Sequence, residues 1–231
     1  MVICFLLAHF LSTYIIKTES TSTNIYSPSF ELNLLSLSKS QVKQETLSFC
    51  SEYQKIGSGG YVWQNENYFH AISSAYLNKN DATLVQNSLN HNNIKSEIIT
   101  IKFDEYHLYG NFNSDESKVL IKGINCPIQY YKQLYDIAIS IDTSVYNEVS
   151  ARMAVNDASN TLSLAIDNFM LLYEKSEIEN INSIKSLLKK IKKISQNLCS
   201  GTLLNNNQTY SSLVKYRYLE VMDTFYNFLN Q

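Results

Sequence analysis

The side chains able to do chemistry are few and scattered. Asp104-Glu105, His107 and Asp115-Glu116 are the densest acid/base group, and they would suit a metal or a general acid pair if a fold gathered them. Their spacing matches no ligand loop, and loop carboxylates of this kind are ordinarily solvated. Cys4, Cys50, Cys126 and Cys199 lie far apart with no CxxC pair, so no zinc framework is legible. Cys4 belongs to an apolar run, and the remaining three cannot form a complete disulfide set. A single Cys50–Cys126 bridge is compatible with the count, but buried thiols are the favoured reading. Gly57-Ser-Gly-Gly60 precedes a strand pattern, whereas a phosphate cradle needs a helix after its glycines; it reads as a hinge. His9, His91 and Cys199 have no partner that would make a nucleophile and its base. The chain therefore reads as noncatalytic, with no cofactor or metal expected.

The elements that would position these residues divide the 231-residue chain in four. Residues 1–16 are uncharged and apolar; as a helix they reach ~24 Å, short of a ~30 Å hydrocarbon core. The run reads as a single-pass membrane anchor, with a signal-peptide core or a buried helix as alternatives. Lys17, its only charged flank, would keep the following residues cytoplasmic. Residues 17–50, rich in Ser, Thr, Gln and Lys, read as a tether holding at most one short helix or strand around Phe30–Leu35.

Residues 51–125 read as a small α+β unit with an antiparallel sheet. Tyr61-Val-Trp63 and Tyr68–Tyr76 flank an Asn-rich turn as a hairpin. A helix capped by Asn78 or Asn80 follows, with Ala82, Val85 and Leu89 at helical spacing. Glu97–Phe103 is a strand, and another lies in Tyr106–Gly110 or Lys118–Ile121. Residues 126–231 read as an antiparallel helical bundle. Pro127 suits a first helical turn, a second helix runs to about Tyr173, Ser176-Glu-Ile-Glu179 has the form of a capping box, and Gly201 is the stop before a last helix over 211–229. Lys185, Lys189, Lys190, Lys192 and Lys193 form a basic face, read as solvated rather than as a lipid or wall-polymer site. The net charge of −2 gives no reason to expect nucleic-acid binding.

The stretch Tyr68–Ala82 (YFHAISSAYLNKNDA), followed by Leu84, Val85 and Leu89, resembles the first strand and helix of SPOR (sporulation-related repeat) domains. The layout of anchor, tether, α+β unit and helical tail looks like the membrane-anchored clostridial type of that bacterial family, as do Gly59–Trp63, Tyr135–Asp142 and Lys215–Leu219. The resemblance implies a βαββαβ fold whose sheet face binds peptidoglycan glycan strands during division or sporulation. It places the bulk of the chain outside the cell membrane, overruling Lys17. By analogy the glycan contacts fall on His70, Ile72, Ser74 and Tyr76, with Trp63 and Tyr61 as an aromatic platform; sugar C–H patches pack on rings while hydroxyls need polar partners. Simple alternation puts Tyr68, His70, Ile72 and Ser74 on one face. Many family members carry a Gln two residues before a Gly where this chain has Ile72 and Ser74. The second helix of the unit is expected in Ser114–Gly123 or after Pro127. The bundle would contact a division or sporulation partner. The alternative reading is a scaffolding membrane protein with a degenerate SPOR-like fold that acts through the bundle.

Overall fold

A computed structural model describes residues 23–201 and 208–231. The apolar run of residues 1–16 lies outside them; among the described residues no helix is long and apolar enough to cross a membrane.

The presumed tether is folded from Thr23 onward. Strand β1 (Thr23–Ser27), strand β2 (Phe30–Ser40) and helix α1 (Lys43–Gln54) occupy it. Leu32 and Leu34 face one side of β2 and Leu35 the other, and all three are fully buried. Strand β3 (Tyr61–Asn65) and strand β4 (Tyr68–Tyr76) form the expected hairpin, turning through Glu66 at φ +51°. Helix α2 (Lys79–His91) starts at the expected cap: the Asn78 side chain accepts from the Asn80 amide at 2.9 Å. Strand β5 (Glu97–Phe103) follows, then strand β6 (Tyr106–Gly110).

From β2 to β5 the element order is β-α-β-β-α-β, and the four strands form an antiparallel sheet in the order β3-β4-β2-β5. This is the split-βαβ arrangement. Its first half is β2-α1-β3, lying largely in the presumed tether. Tyr68–Tyr76, expected as the opening strand, is the third of the four. Strands β1 and β6 pair separately as a two-stranded ribbon.

The remaining helices are α3 (Ser114–Asp142), α4 (Glu148–Leu172), α5 (Glu179–Cys199) and α6 (Tyr210–Leu229). They close a four-membered ring of packed neighbours, α3–α4–α5–α6–α3. Pro127 does not open a helix; it sits inside the 29-residue α3, which begins at a capping box made by Asn113 and Glu116. Both places considered for a second helix of the unit belong to α3, and a boundary at 125/126 would cut it. The Ser176 box is not used either: the Ser176 hydroxyl accepts from the Ile178 amide, and α5 starts without a side-chain cap. Gly201 does stop α5, at φ +64°. Cys50 and Cys126 are buried free thiols whose pKa burial pushes up, to about 12 and about 11, whereas Cys199 is exposed.

One face of the sheet carries α1 and α2; the other is covered by the bundle, chiefly by α6. Phe30 and Phe103 stack at 4.5 Å, Phe225 of α6 lies 6.0 Å from Phe103, and Tyr226 meets Phe103 edge-on at 5.4 Å. Sheet and bundle thus share one apolar core. Gly59 permits this closeness. A Cβ there would meet the Ser73 carbonyl and the Leu219 side chain, both at 3.0 Å.

Candidate functional site

The six residues expected to touch glycan lie on β3 and β4, and their orientation depends on two irregularities in the β2–β4 ladder. Leu35 pairs with Ser74, but Ser36 pairs with Ile72, so Ser73 is an extra residue. Ser38 then pairs with Ala71, leaving Leu37 extra on β2. Each bulge shifts the side-chain phase by one. Simple alternation therefore holds for His70 and Ile72 and fails across Ser73. His70 and Ile72 point to the bundle face, whereas Ser74 and Tyr76 point to the face of α2, where the Ser74 hydroxyl donates to the Tyr76 hydroxyl at 2.9 Å. Tyr76 packs with Leu35 and Ala82 and meets Tyr135 edge-on at 5.9 Å.

Burial separates these residues further. Ile72 is fully buried, and Trp63, His70, Ser74 and Tyr76 each expose 6% or less. Tyr61 alone is partly exposed. The Trp63 ring lies 5.8 Å from Tyr226 of α6, in the place where a ligand on an open sheet would rest. A sheet-face platform is thus occupied by the chain's own helix.

His70 sits in a small polar cluster at the edge of that cover. Its Nδ1 lies 3.4 Å from both the Ser36 hydroxyl and Glu97 Oε1, and Lys39 Nζ reaches Glu97 Oε2 at 3.1 Å. Burial pushes the imidazole below its usual range, Lys39 adds to the effect, and Glu97 opposes it. This is not a nucleophile relay. A Ser–His–acid relay needs its two partners on opposite ring nitrogens, and here both address one. The Ser36 hydroxyl is committed to the Ser38 carbonyl at 3.0 Å.

The acidic residues singled out by type are likewise dispersed into structural roles. Asp104 pairs with Lys102, Glu105 with His107, Asp115 with Lys118, and Glu116 caps α3. Among the described residues no group of three or more His, Cys, Asp or Glu could hold a metal ion.

What the fold does assemble is a cleft of about 460 Å³ where the exposed edge of the hairpin meets the C-terminal half of α6. Tyr61, Trp63, Gln64, Glu66, Asp223 and Tyr226 line it. The Tyr61 hydroxyl donates to Asp223 Oδ2 at 2.6 Å, and Asn227 donates to Oδ1 at 3.2 Å. Burial raises the Asp223 carboxyl above its usual range, and these two bonds pull it back down. Burial, then the Asp223 charge, hold the Tyr61 phenol well above its usual value, so it stays protonated as the donor. The cleft offers aromatic edges, amides and carboxylates, which is chemistry for holding a polar ligand. Tyr61 and Trp63 were legible from sequence; Asp223 and Tyr226 lie some 160 residues away and carried no local signal beyond the aromatic density of α6. The chain matches no protein-family model, no curated protein and no solved structure.

Proposed function

We propose that the chain is a noncatalytic scaffolding protein: a degenerate SPOR-like unit fused to a four-helix bundle, held at a membrane through residues 1–16, with the bundle presented to a division or sporulation partner on the outer side. The β-α-β-β-α-β order of β2 to β5 supports the SPOR-like part. The observation that carries the scaffolding reading is the burial of the sheet's second face beneath α6, which removes the surface a glycan strand would need. Outward-facing apolar residues of α4 support the role given to the bundle: Val149, Met153, Leu164 and Leu171 are each more than 60% exposed.

A second reading keeps glycan binding and moves it from the sheet face to the cleft between β3 and α6. The pairing of Tyr61 and Tyr226 with Gln64, Glu66 and Asn227 favours it, since sugars combine ring packing with dense hydrogen bonding. Sedimentation of the full chain with amidase-treated sacculi separates the two. Scaffolding predicts that the protein stays in the supernatant. Pelleting that survives high salt and disappears in Gln64→Ala/Asn227→Ala would establish the cleft reading and defeat the first.

A further inference from the structure

The bundle has a second concavity, unrelated to the sheet. A groove of about 400 Å³ runs between α3 and α4, with Cys126, Tyr130, Leu162 and Ala165 as its floor and Ile121 on its rim. The floor residues are nearly inaccessible, while Ile121 is 45% exposed. The Tyr130 hydroxyl is engaged with the Ser159 hydroxyl at 3.0 Å, so what Tyr130 adds to the floor is apolar ring.

Two features define what fits. The first is apolar reach. The floor joins the Tyr130 ring to Leu162, Ala165 and Cys126, and the lining positions on α3 run from Lys118 to Gln133, ~22 Å of helix that an extended alkyl chain can follow. The second is charge. Lys118 and Lys122, one turn apart, stand at one end, and neutral Gln129 and Gln133 line the other. Lys118 is shared with Asp115 at 3.1 Å, whereas Lys122 has no carboxylate within ion-pairing distance among the described residues.

We propose that this groove binds a single-chain anionic amphiphile, a long-chain fatty acid, with its carboxylate on Lys122 and Lys118 and its tail along the α3–α4 seam. Each methylene taken from water onto Leu162, Ala165 and Tyr130 adds to affinity, and the lysines orient the chain.

The test is a titration of the purified full chain, labelled at Ile and Leu methyl groups, with laurate below its micelle-forming concentration. Saturable shifts at Ile121 and Leu162 are expected, with dodecylammonium binding at least tenfold more weakly because its head group meets two cations. Lys122→Gln, a change at an exposed position, should weaken laurate about threefold, the effect of one exposed ion pair. Absence of shifts at Ile121 and Leu162, equal affinity for the two head groups, or contacts from residues 1–16 to Ile121 in the ligand-free chain would each overturn the proposal.

Discussion

Replacing Phe225 with Ala should weaken the sheet and the bundle together. Phe225 is 1% exposed and stands among Phe103 at 6.0 Å, Phe30 at 6.5 Å and Phe228 at 6.3 Å. Truncating a buried Phe to Ala typically loses ~3–5 kcal/mol in transfer free energy plus the cavity left behind. The rings here belong to β2, β5 and α6, so the void opens between layers that cannot close on it without moving a whole helix. That argues for the upper part of the range. With a urea dependence of ~2–3 kcal/mol per molar for a chain of this size, the midpoint should fall by ~1–2.5 M. Trp63 is the sole tryptophan, and its ring touches α6. Its fluorescence therefore reports the sheet–bundle contact, while far-ultraviolet circular dichroism reports mainly the helices. Both signals should move together, before and after the substitution, with unchanged slope. If helix signal and tryptophan signal separated into two transitions, or if only the helix midpoint moved, sheet and bundle would be independent units without a shared core.

Other outcomes follow from the same packing. A chain beginning at residue 51 should fail to fold, with no cooperative thermal transition, because it lacks β2, which pairs with both β4 and β5 and buries Leu32, Leu34 and Leu35. His70 is held below its usual 6.5 in the folded state, so the unfolded chain binds its proton more readily. Its contribution is therefore fully present above about pH 6.5 and is lost as pH falls through the lower folded value; urea midpoints between pH 7.5 and 5 should decline, and His70→Phe should flatten that slope. Tyr61→Phe removes the donor to Asp223 and leaves a largely buried carboxylate with one partner fewer. It should destabilise by ~1–3 kcal/mol, read as a lower urea midpoint.

The parts of the fold that were legible in the sequence are those whose signals are local. The β3–β4 hairpin, the Asn78 cap, strand β5 and the stop at Gly201 each rest on a few adjacent residues. Strand β2 was only partly legible: Phe30–Leu35 reads as one short helix or strand within a tether, because serines fill the rest of Phe30–Ser40 and mimic a linker, while the alternation of Phe30, Leu32 and Leu34 marks the strand. The start of α3 was misplaced because Pro127 outweighed Asn113-x-x-Glu116, a better capping signature 14 residues earlier. Pro127 is accommodated inside the helix, where it removes one i→i−4 bond. The orientation of the candidate site was legible only in part: alternation puts His70 and Ile72 on one face but carries Ser74 with them. Ser73 and Leu37 are bulges defined only by the partner strand, and no pattern within Tyr68–Tyr76 announces them. The cover over Trp63 did leave a trace. Leu213, Val214, Tyr218, Leu219, Val221, Met222 and Phe225 are all buried and spread over an arc of ~240° on α6. A helix apolar over so wide an arc needs a second partner besides its bundle neighbours.

Helix α6 covers the sheet face on which a glycan strand would rest, and Trp63 lies beneath it. Acrylamide quenching of Trp63 fluorescence in the native full chain, with and without amidase-treated glycan strands, reads that cover. Emission should be blue-shifted, weakly quenched and unresponsive to glycan. Emission like that of free tryptophan, strong quenching, and protection on adding glycan would mean that the face is open.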